Sequence, residues 1–261
     1  MNQGVAYDAA RALAGRLASW IAAQVEAAGA DGTVVGVSGG IDSAVVAGLC
    51  RMAVGDRALG LILPCHSAGR DVEDARAVAA ATGIRTAAVA LDGPYDEMLR
   101  ALSDAASRLP VGEAGGAATP AQIVKLAQAN LKPRLRMLTL YYFANVNNLL
   151  VVGTGNRAET YVGYATKYGD AGVDIQPIAH LLKREVRAVA AVLGIPAQVI
   201  ERPPTAGLWE GQTDEGEMGM TYAELDEYLA SGSGRPELRD RVERMHRRSA
   251  HKRALPPTPR H

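Results

Sequence analysis

The chain reads as an α/β protein, a doubly wound parallel sheet flanked by helices. Short β-branched or apolar runs alternate with amphipathic stretches at a regular rhythm, which is the pattern of βαβ units. The segment Gly36-Val37-Ser38-Gly39-Gly40-Ile41-Asp42-Ser43 follows one such run and precedes an Ala-rich apolar stretch, so it reads as strand, glycine turn, helix. A hydrophobic content of 48% over 261 residues supplies a substantial core.

Tyr7 to Ala28 places Leu13, Leu17, Trp20, Ile21 and Val25 at helical spacing and stops at Gly29. Thr33–Val37 reads as a strand, Asp42–Val54 as a helix and the apolar run Ala58–Pro64 as a buried strand. Asp71–Thr82 reads as a helix closed by Gly83, Arg85–Leu91 as a third strand and Pro94–Ala106 as a further helix. Leu109–Ala118 is rich in Gly and Ala without periodicity and reads as a mobile loop. Thr119-Pro120 has the chemistry of an N-cap followed by Pro at the first helical position. One long helix is expected from there to about Phe143, bent at Pro133. Leu149–Gly153 reads as another buried strand, and Ala179–Leu193 as an amphipathic helix stopped at Gly194. Arg202–Glu217, rich in Pro, Gly and charge, reads as irregular. Thr221-Tyr222-Ala223-Glu224 is a capping box that opens a short helix. A last helix runs from Pro236 to about Lys252, ahead of a disordered Pro256–Pro259 tail. Neither an internal repeat nor a linker divides the chain.

Lys plus Arg balance Asp plus Glu at 28 each, so net charge gives no general attraction to nucleic acid or anionic membranes. The basic run Arg239–Arg253 is as readily a solvated helix face as a functional patch. The two cysteines, Cys50 and Cys65, have no metal-ligand or CxxC spacing and read as buried thiols in a reducing compartment. No signal segment and no apolar run of membrane-spanning length is present, so a cytoplasmic protein is expected.

The chemistry concentrates in two segments. At Gly36–Ser43 the paired glycines let backbone N–H groups approach an anion, a helix start adds partial positive charge, and Ser38 and Ser43 add hydroxyls. Asp42 would oppose an anion unless a divalent cation lies between it and phosphates. No Lys precedes the final Ser, so this is not the common phosphate loop, and the spacing of a dinucleotide fingerprint is missing. The second segment is Gly153-Thr154-Gly155-Asn156-Arg157-Ala158-Glu159, continuing to Asp174. It follows a strand, and ligands in open α/β sheets lie beyond the carboxyl ends of strands, so both segments are expected to line one crevice. Asp42 and Glu159 are the expected carboxylate pair for Mg²⁺. The histidines His66, His180, His246, His251 and His261 are scattered, and no nucleophile triad is visible.

The pattern SGGIDS at 38–43 resembles the signature of the ATP pyrophosphatases. Taken with GTGNRAE at 153–159, TKYGDAGVD at 166–174, PPTAGLWEGQTDE at 203–215 and HKR at 251–253, it makes the chain resemble NAD synthetase across nearly its whole length. The resemblance implies an adenine-nucleotide alpha-hydrolase-like fold in one synthetase domain, residues 1–261, with no glutaminase domain. It also implies a ligase of NAD biosynthesis. The carboxylate of deamido-NAD attacks ATP to give an adenylate and pyrophosphate, then ammonia displaces AMP. The nitrogen donor is free ammonia or ammonia from a separate partner. Residue by residue, the resemblance assigns ATP binding to Gly36, Val37, Ser38, Gly39, Gly40, Ile41, Asp42, Ser43, Thr154, Lys183 and Thr205. Mg²⁺ falls to Asp42 and Glu159, and catalysis to Asp42, Glu159 and Lys183. Deamido-NAD falls to Arg134, Lys167, Asp174, His251 and Lys252, with Arg136 an alternative to Arg134. Members are usually homodimers, and the helix after Thr119 is apolar enough to serve at a subunit boundary. No nucleic-acid or membrane partner is implied. Leu208–Glu215, with Trp209 in a polar loop, is the expected lid over the nucleotide. An Asp42→Ala change is expected to abolish adenylation and leave the fold intact. The rival readings are a pyrophosphatase that adenylates a tRNA base or a purine nucleotide, and a nucleotide-binding module without chemistry.

Overall fold

The computed structural model describes residues 3–109, 119–209 and 211–259. The expected Leu109–Ala118 loop, apart from Leu109, lies outside the described residues, as does His261. In chain order the elements are α1 (Gln3–Ala27), β1 (Gly32–Gly36), α2 (Ile41–Val54), β2 (Ala58–Ile62), α3 (Gly69–Thr82), β3 (Arg85–Ala88), α4 (Asp92–Ala106), α5 (Pro120–Ala129), α6 (Leu131–Asn147), β4 (Leu149–Val151), α7 (Arg157–Val162), α8 (Lys183–Val192), α9 (Ala197–Ile200), α10 (Asp214–Met218), α11 (Tyr222–Ser231) and α12 (Pro236–Arg248).

The strands form one parallel sheet in the order β3-β2-β1-β4. The chain builds outward from β1 to β2 to β3, then returns to lay β4 on the other side of β1. The reversal falls between β1 and β4, and a crevice opens outside the carboxyl ends of these strands. Each face is covered. On one side α2 packs between the sheet and α1 and α8, burying Val45, Leu49, Ile21, Val186 and Val189 completely. On the other, α4 and α6 cover Val34, Leu61 and Val151 with Tyr95 and Ala144. A satellite cluster of α7, α10, α11 and α12 packs Val162, Met218, Leu225 and Val242 together. Double coverage explains why the strands read as continuous apolar runs rather than alternating ones.

Several boundaries depart from expectation for identifiable reasons. The single helix expected from Thr119 to Phe143 is two helices, α5 and α6, parted at Asn130 rather than bent at Pro133. A proline ring clashes with the carbonyl four residues back, so a helix containing Pro133 cannot run continuously through Ala129; Pro133 sits in the first turn of α6 instead. The cap chemistry held: Thr119 accepts from Gln122 N, and Thr221 from Glu224 N. Helix α3 ends where expected, at Gly83 in the left-handed conformation (φ 66°). Helix α8 begins at Lys183, later than Ala179, because its start is set by outside groups. The Asp226 carboxylate of α11 accepts the backbone N–H groups of Lys183 and Arg184, each at 3.0 Å. Within Arg202–Glu217 the short α10 was not foreseen. Helix α12 ends at Arg248, and Ala250–Lys252 follow as a single 3₁₀ turn.

Candidate active site

The strand–turn–helix at Gly36–Ser43 is present, and its turn is held by its own serines. Ser38 N donates to Ser43 Oγ at 3.1 Å, and Ser43 Oγ donates to the Gly40 carbonyl at 2.9 Å. Gly40 caps α2 without a side-chain acceptor, which leaves the helix N-terminus open toward the cavity. Gly39 has φ 83°, and a Cβ there would lie 2.6 Å from the Asp71 carbonyl of α3. Both conformation and space therefore require glycine.

From the other side of the switch point, β4 and an isolated parallel bridge between Val152 and Ile175 deliver the second segment. Asn156 caps α7, accepting from Glu159 N at 3.1 Å, while Glu159 reaches back to Asn156 N at 3.2 Å. The side-chain amide of Asn156 also donates to Glu159 Oε1 at 2.9 Å and Asp42 Oδ1 at 3.2 Å, tying the two carboxylates together. Lys183, only 1% exposed, ion-pairs with Asp42 and comes within 3.9 Å of Glu159. Burial alone would lower the Lys183 pKa, but the charges of Asp42 and Glu159 outweigh it and hold the ammonium above its ordinary range. Burial, then the neighbouring Asp42, pushes the Glu159 carboxyl up; Lys183 and Tyr222 oppose this. The three catalytic residues expected from the sequence thus meet in one cluster.

A cavity of about 680 Å³ opens over this cluster. It is lined by the Gly36–Ser43 turn except Gly39, and by Thr154, Arg134, Lys167, Thr205, His251 and Lys252. Asp174 does not line it; its carboxylate accepts from Tyr141 OH and Val151 N, each at 2.8 Å. Lys252 donates to the carbonyls of Gly163 and Ala165 at 2.7 and 2.6 Å, so it braces the turn that carries Lys167. Of the two arginines, Arg136 is committed to the Leu63 carbonyl and Ser67 (3.1 and 3.3 Å), whereas Arg134 is exposed and touches only the Lys167 carbonyl (3.3 Å). Both arginines line the cavity, and Arg134 is the less committed of the two.

Residues 202–209, with Gln212, Asp214 and Glu217, line one side of the cavity. Arg202 pairs with Asp71 and with buried Asp74 at 3.0 Å. Thr205 Oγ1 donates to the Gln212 carbonyl at 2.8 Å, and Lys132 Nζ donates to the Leu208 carbonyl at 2.9 Å. Trp209 lines the cavity beneath the Lys125 ammonium, 4.8 Å from the ring centre. Lys132, Asn156, Asp214 and Tyr222 were given no role from the sequence. Asn156 was recoverable, since Asn three residues before Glu is a capping signature; the others depend on contacts between distant segments.

The donor set suits Mg²⁺. Among the described residues no group of three or more His, Cys, Asp or Glu forms a ready-made metal cage. Two hard carboxylates beside an anion-binding turn match an ion that binds through one or two carboxylates together with substrate phosphates.

A doubly wound sheet with a serine–glycine turn, a carboxylate pair and a buried lysine at its switch point defines a nucleotide-dependent enzyme of the ATP pyrophosphatase type. The chain belongs to the NAD synthase family, whose sequence profile matches residues 13–256. It is 48% identical over 244 residues to the NH(3)-dependent NAD(+) synthetase of Carboxydothermus hydrogenoformans, covering 94% of this chain and 95% of that one. Among solved structures it resembles an NMN synthetase from Francisella tularensis (TM-score 0.85, 33% identity, 96% of this chain and 98% of that one). It also resembles the NAD+ synthetase of Burkholderia pseudomallei (TM-score 0.74, 32% identity, 95% and 91%).

Proposed function

We propose that this chain amidates deamido-NAD to NAD+ with ATP and ammonia, acting as a single synthetase domain. The observation that carries this is the convergence of Asp42, Glu159 and Lys183 between the Gly36–Ser43 turn and Thr154, in a chain of this family. A carboxylate is a poor electrophile, so it must first be capped. A carboxylate oxygen of the substrate attacks the α-phosphorus of ATP; the bond to the β-phosphate oxygen breaks and pyrophosphate leaves. Ammonia then attacks the acyl carbon of the adenylate, AMP departs with the bonding pair, and the nitrogen loses its extra proton to give the amide.

The chain's residues serve both steps. The open start of α2 and the Ser38 and Ser43 hydroxyls cradle the phosphates. Lys183, held protonated in a dry site, offsets the negative charge that builds as pyrophosphate leaves. Mg²⁺, when bound by Asp42 and Glu159, would supply further charge neutralisation on the triphosphate. Thr154 and Thr205 contact ATP, while Arg134, Lys167 and His251 receive the dinucleotide; Lys252 braces the turn ahead of Lys167, and Asp174 ties Tyr141 of α6 to β4. The 203–214 segment shields the adenylate from water.

We read the protein as a cytoplasmic homodimer. Supporting the dimer, α6 exposes Leu138, Tyr142 and Val146 at 63–65% along one stripe. No described helix is long and apolar enough to cross a membrane. The test is sustained, multiple-turnover pyrophosphate release from ATP, expected with deamido-NAD plus ammonium and not with glutamine as nitrogen donor or with tRNA in place of deamido-NAD. Release that depended on tRNA alone would discard the reading. A second reading, favoured by the TM-score of 0.85 to an NMN synthetase, is that the mononucleotide acid is the better substrate. Comparing kcat/KM for the mononucleotide and dinucleotide acids decides between them.

A further inference from the structure

Tyr222 stands between two carboxylates that belong to different parts of the molecule. It is 2% exposed at the start of α11, and its hydroxyl lies 2.9 Å from Glu159 Oε1 and 3.1 Å from Asp214 Oδ2. Its ring lies 4.6 Å from the Lys183 ammonium, and its backbone N–H donates to Glu215 at 2.9 Å. Asp214 is 5% exposed, and its Oδ1 has no hydrogen-bond partner among the described residues. It opens α10, and its backbone N–H donates to the Pro204 carbonyl at 3.2 Å, which joins the two ends of the 203–214 segment. A phenol carries one proton and can donate it to only one acceptor at a time. Glu159 and Asp214, at the far end of the segment over the cavity, therefore share one hydroxyl, and its contact with either is not independent of its contact with the other.

We propose that Tyr222 is a positioning residue that holds the Glu159 carboxylate toward Asp42 and, through Asp214, couples docking of the 203–214 segment to cation binding. The proposal rests on the reading of Asp42 and Glu159 as Mg²⁺ ligands. Neither Tyr222 nor Asp214 need touch substrate. Partners that orient a metal ligand are worth about 10–100-fold in metal affinity, and coupling between two sites acts in both directions.

The probe is Mn²⁺ with a nucleotide whose α,β bridge is a methylene, read by the electron paramagnetic resonance of free Mn²⁺. Docking is read by Trp209 fluorescence in a Trp20→Phe background. Wild-type protein that fails to bind Mn²⁺ would overturn the metal reading itself, and the proposal with it. Given wild-type binding, Tyr222→Phe is expected to weaken Mn²⁺ affinity by about tenfold or more. Tyr161→Phe, which removes a hydroxyl bonded to Glu243 in the same helix cluster, is expected to leave the affinity unchanged. Asp214→Asn is expected to abolish the Trp209 response to Mn²⁺ and nucleotide. Wild-type Mn²⁺ affinity in Tyr222→Phe overturns the positioning role, and an undiminished Trp209 response in Asp214→Asn overturns the coupling. The second variant decides the matter if the first does not fold.

Discussion

Asp42 does more than the sequence indicated. With Lys183 buried against it, removing its carboxylate leaves an ammonium whose remaining neighbour of opposite charge is Glu159 at 3.9 Å. The expectation that Asp42→Ala leaves the fold untouched is therefore revised. Both Asp42→Ala and Asp42→Asn should abolish pyrophosphate release. In addition, Asp42→Ala should lower Tm, with a loss of stability smaller than the ~3–5 kcal/mol of a fully uncompensated buried charge because Glu159 stays. Pyrophosphate assays and thermal unfolding of the two variants side by side check this. Cys50 makes a pH prediction. Burial, only partly opposed by the Thr33 hydroxyl, pushes its thiol from 9.0 up to about 12. Between those values the native thiol keeps a proton that the unfolded one releases, so stability falls as pH rises. The contribution approaches about 1.4 kcal/mol per pH unit. Urea midpoints measured from pH 8 to 10 should fall less steeply in Cys50→Ala than in wild type.

At the scale of the element, the start of α8 is the decisive joint. The helix carries Lys183 as its first residue, and Asp226 from α11 fixes where that residue begins. Asp226→Ala should cost about 0.5–2 kcal/mol, the usual value of an N-cap. It should also depress pyrophosphate release, because the lysine loses its placement; a Tm shift with unchanged activity would refute the link. Helix α6 offers a second test. A charge placed in its exposed stripe by Leu138→Glu should convert the proposed dimer to monomer, read by sedimentation; a wild-type chain that sediments as a monomer would refute the dimer reading. Elements were legible in the sequence where local chemistry decided them: Gly83, Thr119-Pro120 and Thr221–Glu224 act within a few residues of themselves. They were misread where a distant group decided, as at the start of α8, or where a clash with an earlier carbonyl parted α5 from α6.

At the scale of the whole molecule, the order β3-β2-β1-β4 places the Gly36–Ser43 turn and the Thr154–Glu159 segment on either side of one reversal in strand order. The sheet makes a crevice there whatever the side chains, and this chain fills it with two carboxylates and a lysine. The amino-acid sequence by itself determined the fold class, the strand–glycine turn–helix at Gly36–Ser43 and, through its motifs, the family, since glycine–serine spacing and apolar rhythm are local properties of the chain. Only the tertiary structure decided that Lys183 lies buried against Asp42, that Asn156 ties Asp42 to Glu159, that Arg136 is bonded to Leu63 and Ser67 while Arg134 is exposed, and that the Tyr222 hydroxyl lies between Glu159 and Asp214. These are contacts between residues tens of positions apart, fixed by packing and by the need of every buried polar group for a partner, and no local pattern encodes them.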